Sequence, residues 1–131
     1  MLASLKAKML VAGILLFLLG YGLNRAVFGP PVITIENQSA LRLSQIQVIG
    51  TGFSQSVSDI QPGDQRTIVV HPTSESGLKI EFIANGKHMS TDDLAYIEPS
   101  GGYCERLVID SHLGAKTNPV SAFCFSIRRL L

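Results

Sequence analysis

The pattern of apolar and polar residues divides the chain near residue 28. Residues 9–23 are fifteen consecutive positions without a charge or a strong hydrogen-bonding side chain. At about 1.5 Å per residue they cover about 22 Å, whereas a hydrocarbon core measures about 30 Å. Extension to Phe28 gives a full span, and the long stem of Arg25 can carry its guanidinium to the headgroups. We therefore predict a transmembrane signal-anchor helix over residues 9–28, behind a leader of residues 1–8.

Beyond residue 31 the apolar positions alternate with polar ones, which is typical of half-buried β-strands. The alternation is clearest at Leu78, Ile80 and Phe82, and it recurs at Ile33 and Ile35. No sustained helical periodicity follows Phe28.

Turn signals separate these short apolar segments. Asn85-Gly86 is the strongest, because a type I′ hairpin turn needs positive φ at both central positions. The apolar phase shifts between Leu43 and Ile46, which predicts a bulge near residues 44–45. The predicted fold class is all-β: a small immunoglobulin-like β-sandwich of about seven or eight strands over residues 32–131, preceded by one N-terminal transmembrane helix.

Gly29, Pro30 and Pro31 connect the helix to this domain. Two prolines favour extended backbone, so they predict a short, stiff Gly-Pro-Pro stalk. A domain held so close to the bilayer can reach partners in the same membrane.

Charge is distributed unevenly about the apolar segment. Lys6, Lys8 and Arg25 precede Pro31, whereas the other eight basic residues and all 10 acidic residues follow it. The net charge of +1 therefore combines a basic leader with an acidic domain, which lacks the basic patch typical of nucleic-acid binding. The two lysines favour a cytoplasmic N-terminus and a periplasmic domain at a bacterial inner membrane. The alternative is a cleaved signal peptide, although no A-x-A site is present.

The two cysteines predict a disulfide between Cys104 and Cys124. If residues 106–110 and 120–127 form an antiparallel pair turning near residues 113–118, the two cysteines face each other, away from the core side chains. An oxidising compartment preserves such a bond, which stabilises the fold by about 3 kcal/mol. Two buried free thiols are the alternative, and the lack of C-x-x-C argues against a redox pair.

Candidate catalytic chemistry is sparse. His71, His88 and His112 have no metal-ligand spacing, although strands can assemble ligands from distant positions. Asp92 and Asp93 are adjacent, so on a strand they point to opposite faces and make a poor acid/base pair. No serine lies in a catalytic motif. We therefore predict no catalytic, cofactor-binding or metal-binding residue, no cofactor and no small-molecule substrate.

Residues 96–103 contain two tyrosines around a Pro/Gly turn. Aromatic residues are enriched at the centres of interfaces, so Tyr96, Glu98 and Tyr103 are the predicted partner contact. The alternative is that Tyr96 ends a strand and Tyr103 packs over the disulfide.

Four segments resemble a loose group of small bacterial proteins with one N-terminal membrane anchor and one extracytoplasmic β-sandwich. Their shared features are turns and core alternation, so the resemblance implies architecture and assigns no functional residue. The segments are IENQSALRLSQIQVIGTG (35–52), DIQPGDQRTIVV (59–70), ESGLKIEF (75–82) and YIEPSGGY (96–103).

Two functions fit these features. The favoured one is a non-enzymatic accessory or assembly subunit that binds an integral membrane partner through its helix and the membrane-proximal end of its domain. The alternative is a membrane-anchored periplasmic binding module or inhibitor for a soluble ligand, an ion or an envelope component.

Overall fold

The computed structural model describes residues 1–118 and 127–130. One helix, α1, is followed by ten strands and a short 3-10 helix. Their bounds are α1 Leu2–Phe28, β1 Val32–Asn37, β2 Ser44–Gly50, β3 Phe53–Val57, β4 Gln65–Val69, β5 Ser76–Gly77, β6 Lys79–Ala84, β7 Lys87–Thr91, β8 Tyr96–Ile97, β9 Cys104–Ile109, β10 Ala115–Thr117 and the 3-10 helix Ile127–Arg129.

Helix α1 extends away from the domain for most of its length. Of its 27 residues, all of them described, only Ala26 is buried. Large apolar side chains such as Leu10 and Phe17 are 66% and 72% exposed, so they lack protein neighbours to cover them. By length and composition this helix is long and apolar enough to cross a membrane. It begins at Leu2 instead of residue 9, because the lysines of the leader are themselves good helix formers.

Two four-stranded sheets form the domain, in the orders β10-β9-β1-β4 and β3-β2-β6-β7. Strands β1 and β9 are parallel, and the other neighbours in these sheets are antiparallel. Strands β5 and β8 form a separate two-stranded pair. The described residues thus contain ten strands instead of seven or eight, because β5, β8 and β10 are only two or three residues long.

Both four-stranded sheets bury apolar side chains in one hydrophobic core. The predicted alternation is confirmed in β1 and around β6, where every second side chain is inaccessible to solvent. These buried residues are Ile33, Ile35, Leu78, Ile80 and Phe82.

Two predicted irregularities of the backbone are also confirmed. The pairing of β2 with β6 shifts register between Ser44 and Gln47, and Gln45 has φ of 48°. At the hairpin between β6 and β7, Asn85 and Gly86 have φ of 51° and 72°. These are the left-handed conformations that a type I′ turn requires.

The hairpin between β9 and β10 differs from the prediction. The chain reverses at residues 110–114, and Ala115 already pairs with Ile109. The Asp110 carboxylate accepts hydrogen bonds from the backbone N–H groups of Gly114 (3.0 Å) and His112 (2.9 Å), which closes a tight turn. The predicted turn at residues 113–118 is therefore wrong. Most of the predicted second strand, residues 120–127, lies outside the described residues.

The turn after β1 contains a buried asparagine. Asn37 is inaccessible to solvent, and its amide donates to the carbonyls of Leu41 (2.7 Å) and Ile60 (3.1 Å). Its Oδ1 accepts hydrogen bonds from Ser39 N and Oγ at 2.9 and 2.6 Å. Because β1 runs away from the helix, this turn lies at the end of the domain farthest from α1.

Candidate functional site

The segment that connects α1 to β1 is packed into the domain. Gly29, Pro30 and Pro31 are all buried. The Gly29 carbonyl accepts a hydrogen bond from Gly102 N at 3.2 Å, and the Pro31 carbonyl accepts one from Val70 N at 3.1 Å. Prolines lack an N–H group but keep a carbonyl acceptor, so these residues join the neighbouring strands. The predicted stalk is thus part of a helix–domain junction, which we define as residues 26–31, 101–104 and 128–129.

Arg129 is the central side chain of this junction and is 3% exposed. Its Nη1 donates to the Ala26 and Val27 carbonyls at 2.7 and 3.2 Å. Its Nε donates to the Pro30 carbonyl at 2.7 Å, and its Nη2 donates to the Tyr103 carbonyl at 2.8 Å. One guanidinium therefore connects the end of the helix, the linker and the start of β9.

The position of Arg129 follows from the chemistry of helix ends. The last four carbonyls of an α-helix have no partner within the helix and carry partial negative charge. The guanidinium supplies both the donors and the positive charge that they need. Burial lowers the pKa of Arg129 below its ordinary value. Sequence analysis did not find this residue, because no motif links position 129 to positions about one hundred residues earlier.

Gly102 allows the helix and the domain to approach closely. It has φ of 69°, which disfavours other residues, and a Cβ there would collide with the carbonyl oxygen of Val27. The Gly-Gly sequence was interpreted as a turn signal alone. In the structure, its second glycine also allows contact with the end of the helix.

The structure brings the three predicted contact residues together beside the junction. Tyr96 lies in β8, is 50% exposed, and donates its hydroxyl to Glu98 Oε1 at 2.8 Å. The rings of Tyr96 and Tyr103 meet edge to face with centroids 6.3 Å apart. The Glu98 hydrogen bond raises the pKa of Tyr96, and burial raises that of Tyr103, so both phenols are neutral at physiological pH. The cluster presents two rings and one carboxylate.

The cysteine prediction stays open. Cys104 begins β9, and its sulfur lies 3.8 Å from Nη2 of Arg129. No described cysteine is a free thiol. Cys124 lies outside the described residues, so its pairing with Cys104 stays a prediction.

Candidate ligand-binding side chains are dispersed over the domain. No group of three or more His, Cys, Asp or Glu side chains that could hold a metal occurs in residues 1–118 and 127–130. Asp92 and Asp93 line an open groove of about 420 Å³ with Lys79, whose Nζ lies 4.0 Å from Asp92 Oδ1 and 2.8 Å from Glu81 Oε1.

Fold and junction together define a mostly β-sheet domain joined to one apolar N-terminal helix. No family model and no curated protein matches the chain. Among solved structures, it is similar to the NMR structure of a protein from Eubacterium rectale, with a TM-score of 0.51 and 11% sequence identity. The similarity covers 73% of this chain and 90% of that one, and at this identity it concerns the fold alone.

Proposed function

We propose that this chain is a non-enzymatic, single-pass membrane protein that acts as an accessory or assembly subunit of a larger complex in a bacterial inner membrane. Its N-terminus lies in the cytoplasm, and its immunoglobulin-like domain lies in the periplasm. It belongs with the small anchored bacterial sandwich proteins that its turns and core alternation resemble. Its partner is an integral membrane protein that contacts both the helix and the membrane-proximal end of the domain.

The observation that carries this proposal is the junction built around Arg129. A module that captures soluble ligands gains from a long, flexible linker, which increases its reach. Here four backbone carbonyls from the helix end, the linker and β9 share one buried guanidinium. Such a junction supports a domain that presents one surface at a fixed height above the bilayer.

Exposed apolar side chains also support the proposal that the membrane-proximal end of the domain is the contact surface. Large exposed hydrophobic residues mark interaction sites when they cluster. In the described part of the domain and linker region these are Phe28, Leu41, Tyr96 and Leu130. All except Leu41 lie at or beside the junction.

One observation favours the alternative function, a periplasmic binding module or inhibitor. The open groove near Asp92 and Asp93 has room for a small polar ligand or an ion. None of its lining residues belongs to the junction, so the two functions make different demands on the linker.

Lengthening the linker tests the proposal. Fifteen Gly/Ser residues inserted between Gly29 and Pro30 separate the Ala26 carbonyl from Arg129 without changing any domain residue. Mild-detergent extraction, native electrophoresis and mass spectrometry then show whether the protein still migrates with its partner. We expect the complex to be lost while the domain melts cooperatively.

The matched control places the same insertion between Asn85 and Gly86. This exposed hairpin lies at the end of the domain farthest from the helix, and a longer loop costs little free energy. The control should retain the complex. If the linker variant retains it equally well, or if unmodified protein migrates as a lone small protein, the subunit proposal is wrong and the binding-module function is favoured.

The anchor and its orientation need a separate measurement. N-terminal sequencing of protein purified from membranes should give the uncleaved start. A mature chain beginning after Gly22 or later would show that the segment is a cleaved signal peptide.

A further inference from the structure

A polar groove of about 300 Å³ lies where α1 meets the domain. Tyr21, Asn24 and Arg25 line it from the helix, and His71 and Ser100 line it from the domain. All five side chains can donate a hydrogen bond, and Arg25 carries a permanent positive charge. None of the described residues that line the groove is acidic. These features favour an anionic ligand.

Arg25 is available to such a ligand. It is exposed, and it makes no ion pair with any carboxylate in the described part of the chain. Its planar guanidinium can donate two parallel hydrogen bonds to a phosphate. The hydroxyls of Tyr21 and Ser100 can donate to the remaining oxygens.

The position of the groove along the helix indicates where that phosphate comes from. The uninterrupted apolar stretch ends at residue 23, and Tyr21 to Arg25 extend about 6 Å along the axis. The headgroup region on each side of a hydrocarbon core is about 5–8 Å thick. Tyrosine is enriched at this level, and arginine near a helix end reaches it. The groove therefore opens at the depth of the lipid phosphates.

We propose that this groove binds the phosphate of an anionic phospholipid headgroup in the leaflet on the domain side. The inference rests on α1 crossing a membrane, which is part of the proposed function, but it does not depend on any protein partner. The helix and the domain each supply one wall, so the groove exists only while the junction holds them together. Phe28, Pro30 and Pro99 also line the groove, on the domain side of Arg25.

The test uses the purified full-length protein in mild detergent. Phosphatidylglycerol and phosphatidylcholine are titrated separately, and native mass spectrometry counts the bound lipids. We expect the wild type to bind phosphatidylglycerol about tenfold more tightly than phosphatidylcholine. Arg25→Gln should weaken phosphatidylglycerol binding about tenfold or more, because it removes a charge-assisted bidentate contact with the phosphate. It should also remove most of the preference, because the positive charge of Arg25 disfavours the choline cation of phosphatidylcholine. Arg25→Lys keeps the charge but loses the two parallel hydrogen bonds, so it should restore the preference and only part of the affinity.

A second variant tests the domain wall, and a matched control tests net charge. His71→Gln should weaken phosphatidylglycerol binding several-fold. Arg42→Gln removes the same charge as Arg25→Gln from an exposed side chain that pairs with Asp59, far from the groove, and should leave binding unchanged. Thermal unfolding of each variant verifies that the domain is folded.

Three results would overturn the inference. Equal affinity of the wild type for the two lipids would show that the groove does not select an anionic headgroup. Arg25→Gln binding like Arg42→Gln would show that the groove is not the site. If excess inorganic phosphate displaces the lipid, and the protein binds inorganic phosphate as tightly as it binds the lipid, the groove is a site for free phosphate. Each measurement uses the protein alone, so failure of the subunit proposal leaves these outcomes unchanged.

Discussion

Replacing Arg129 with methionine removes every donor from the centre of the junction but keeps a long, unbranched side chain. Three of the hydrogen bonds that it removes are short, at 2.7, 2.7 and 2.8 Å, and the side chain is almost fully buried. Each buried acceptor left without a partner costs about 1–3 kcal/mol. The Tyr103 carbonyl keeps its hydrogen bond from the Val32 N–H, so the Ala26 and Pro30 carbonyls set an upper range of about 2–6 kcal/mol.

Two effects reduce that range. Water can reach some of the carbonyls once the guanidinium is gone, and methionine avoids the desolvation cost of burying a charge. That desolvation is also what lowers the pKa of Arg129. We expect a net loss of about 3 kcal/mol in the free energy of unfolding. For a domain of about 100 residues this corresponds to a decrease in Tm of about 12–24 °C.

Near-UV circular dichroism of the full chain in detergent measures this change. The tyrosines of the domain lose their fixed environment when it unfolds, whereas α1 stays helical in the micelle. Amide hydrogen exchange adds a local measurement, because the Val32 N–H is bonded to the Tyr103 carbonyl at 2.9 Å beside the guanidinium. Exchange there should accelerate in Arg129→Met at temperatures well below Tm.

Arg128 provides the matched control. It is the preceding residue, it is exposed, and its Nη1 makes one 3.4 Å contact with the Thr67 carbonyl. Arg128→Met should change the free energy of unfolding by less than about 0.5 kcal/mol, as surface substitutions usually do. If the two variants unfold at the same temperature and exchange at the same rate, the guanidinium does not hold the junction. The domain would then not be fixed to the helix end by Arg129.

Three further predictions concern turns and packing. Gly102→Ala should lower the free energy of unfolding by at least 1 kcal/mol more than Gly63→Ala does. Both glycines have positive φ, but only at Gly102 does a Cβ collide with a helix carbonyl. Equal melting temperatures of the two variants would contradict this. Asn37→Ala should cost about 2–3 kcal/mol in urea unfolding, since it removes two hydrogen bonds to backbone carbonyls and leaves the buried Ser39 N–H without its acceptor. A loss below about 0.5 kcal/mol would argue against it. Hydrogen bonds from the backbone N–H groups of Gly114 and His112 hold the pKa of Asp110 below its ordinary value of 3.8. The ionised carboxylate therefore stabilises the fold above pH 3.8, and this contribution disappears as the pH falls through the lower pKa of the folded state. Acid titrations should therefore show a smaller loss of stability below pH 3.8 for Asp110→Asn than for the wild type, and identical curves would contradict the assignment.

The parts of the fold that the sequence predicts are those determined by local patterns. Alternation assigns the buried side of β6, because neighbouring side chains on a strand point to opposite faces. The phase shift after Leu43 indicates the irregularity at Gln45, since a strand that keeps one face buried must absorb an extra residue. The Asn85-Gly86 pair predicts positive φ at both of its residues, as the structure has them. Each of these inferences depends on only a few consecutive residues.

The hairpin after β9 shows how a local pattern can mislead. Matching the two cysteines across an antiparallel pair predicts a turn near residues 113–118. The Asp110 side chain closes the turn earlier by accepting two backbone hydrogen bonds, so the return strand begins at Ala115. An aspartate side chain that bonds to the backbone N–H groups after it can reverse the chain locally. The spacing between two cysteines contains no information about such a turn.

The junction lies beyond any local pattern. Pro30 and Pro31 predict a short, stiff stalk, but their burial depends on contacts with Val70 and Arg129 that are distant in sequence. An arginine near the end of a chain is ordinarily a solvated residue. Only the folded arrangement shows that the Ala26 and Val27 carbonyls at the end of the helix lie beside it. The local pattern of residues 96–103 points to Tyr96 and Tyr103, whose rings meet in the structure, and their role as a partner contact stays a prediction. The groove at Arg25 depends on both the helix and the domain and has no such local pattern.

A fixed junction changes what a tilt of the helix does. Membrane helices tilt by about 20° on average, and their neighbours in the bilayer set the angle. A free three-residue linker would absorb that rotation and leave the domain where it was. With Arg129 joining the helix end to β9, the domain must rotate with the helix. Strand β1 alone is about 20 Å long, so a change in tilt of 20° displaces its far end by about 7 Å. A partner that grips α1 within the bilayer would thereby move surfaces well above it, and the guanidinium of Arg129 is the group that transmits this movement.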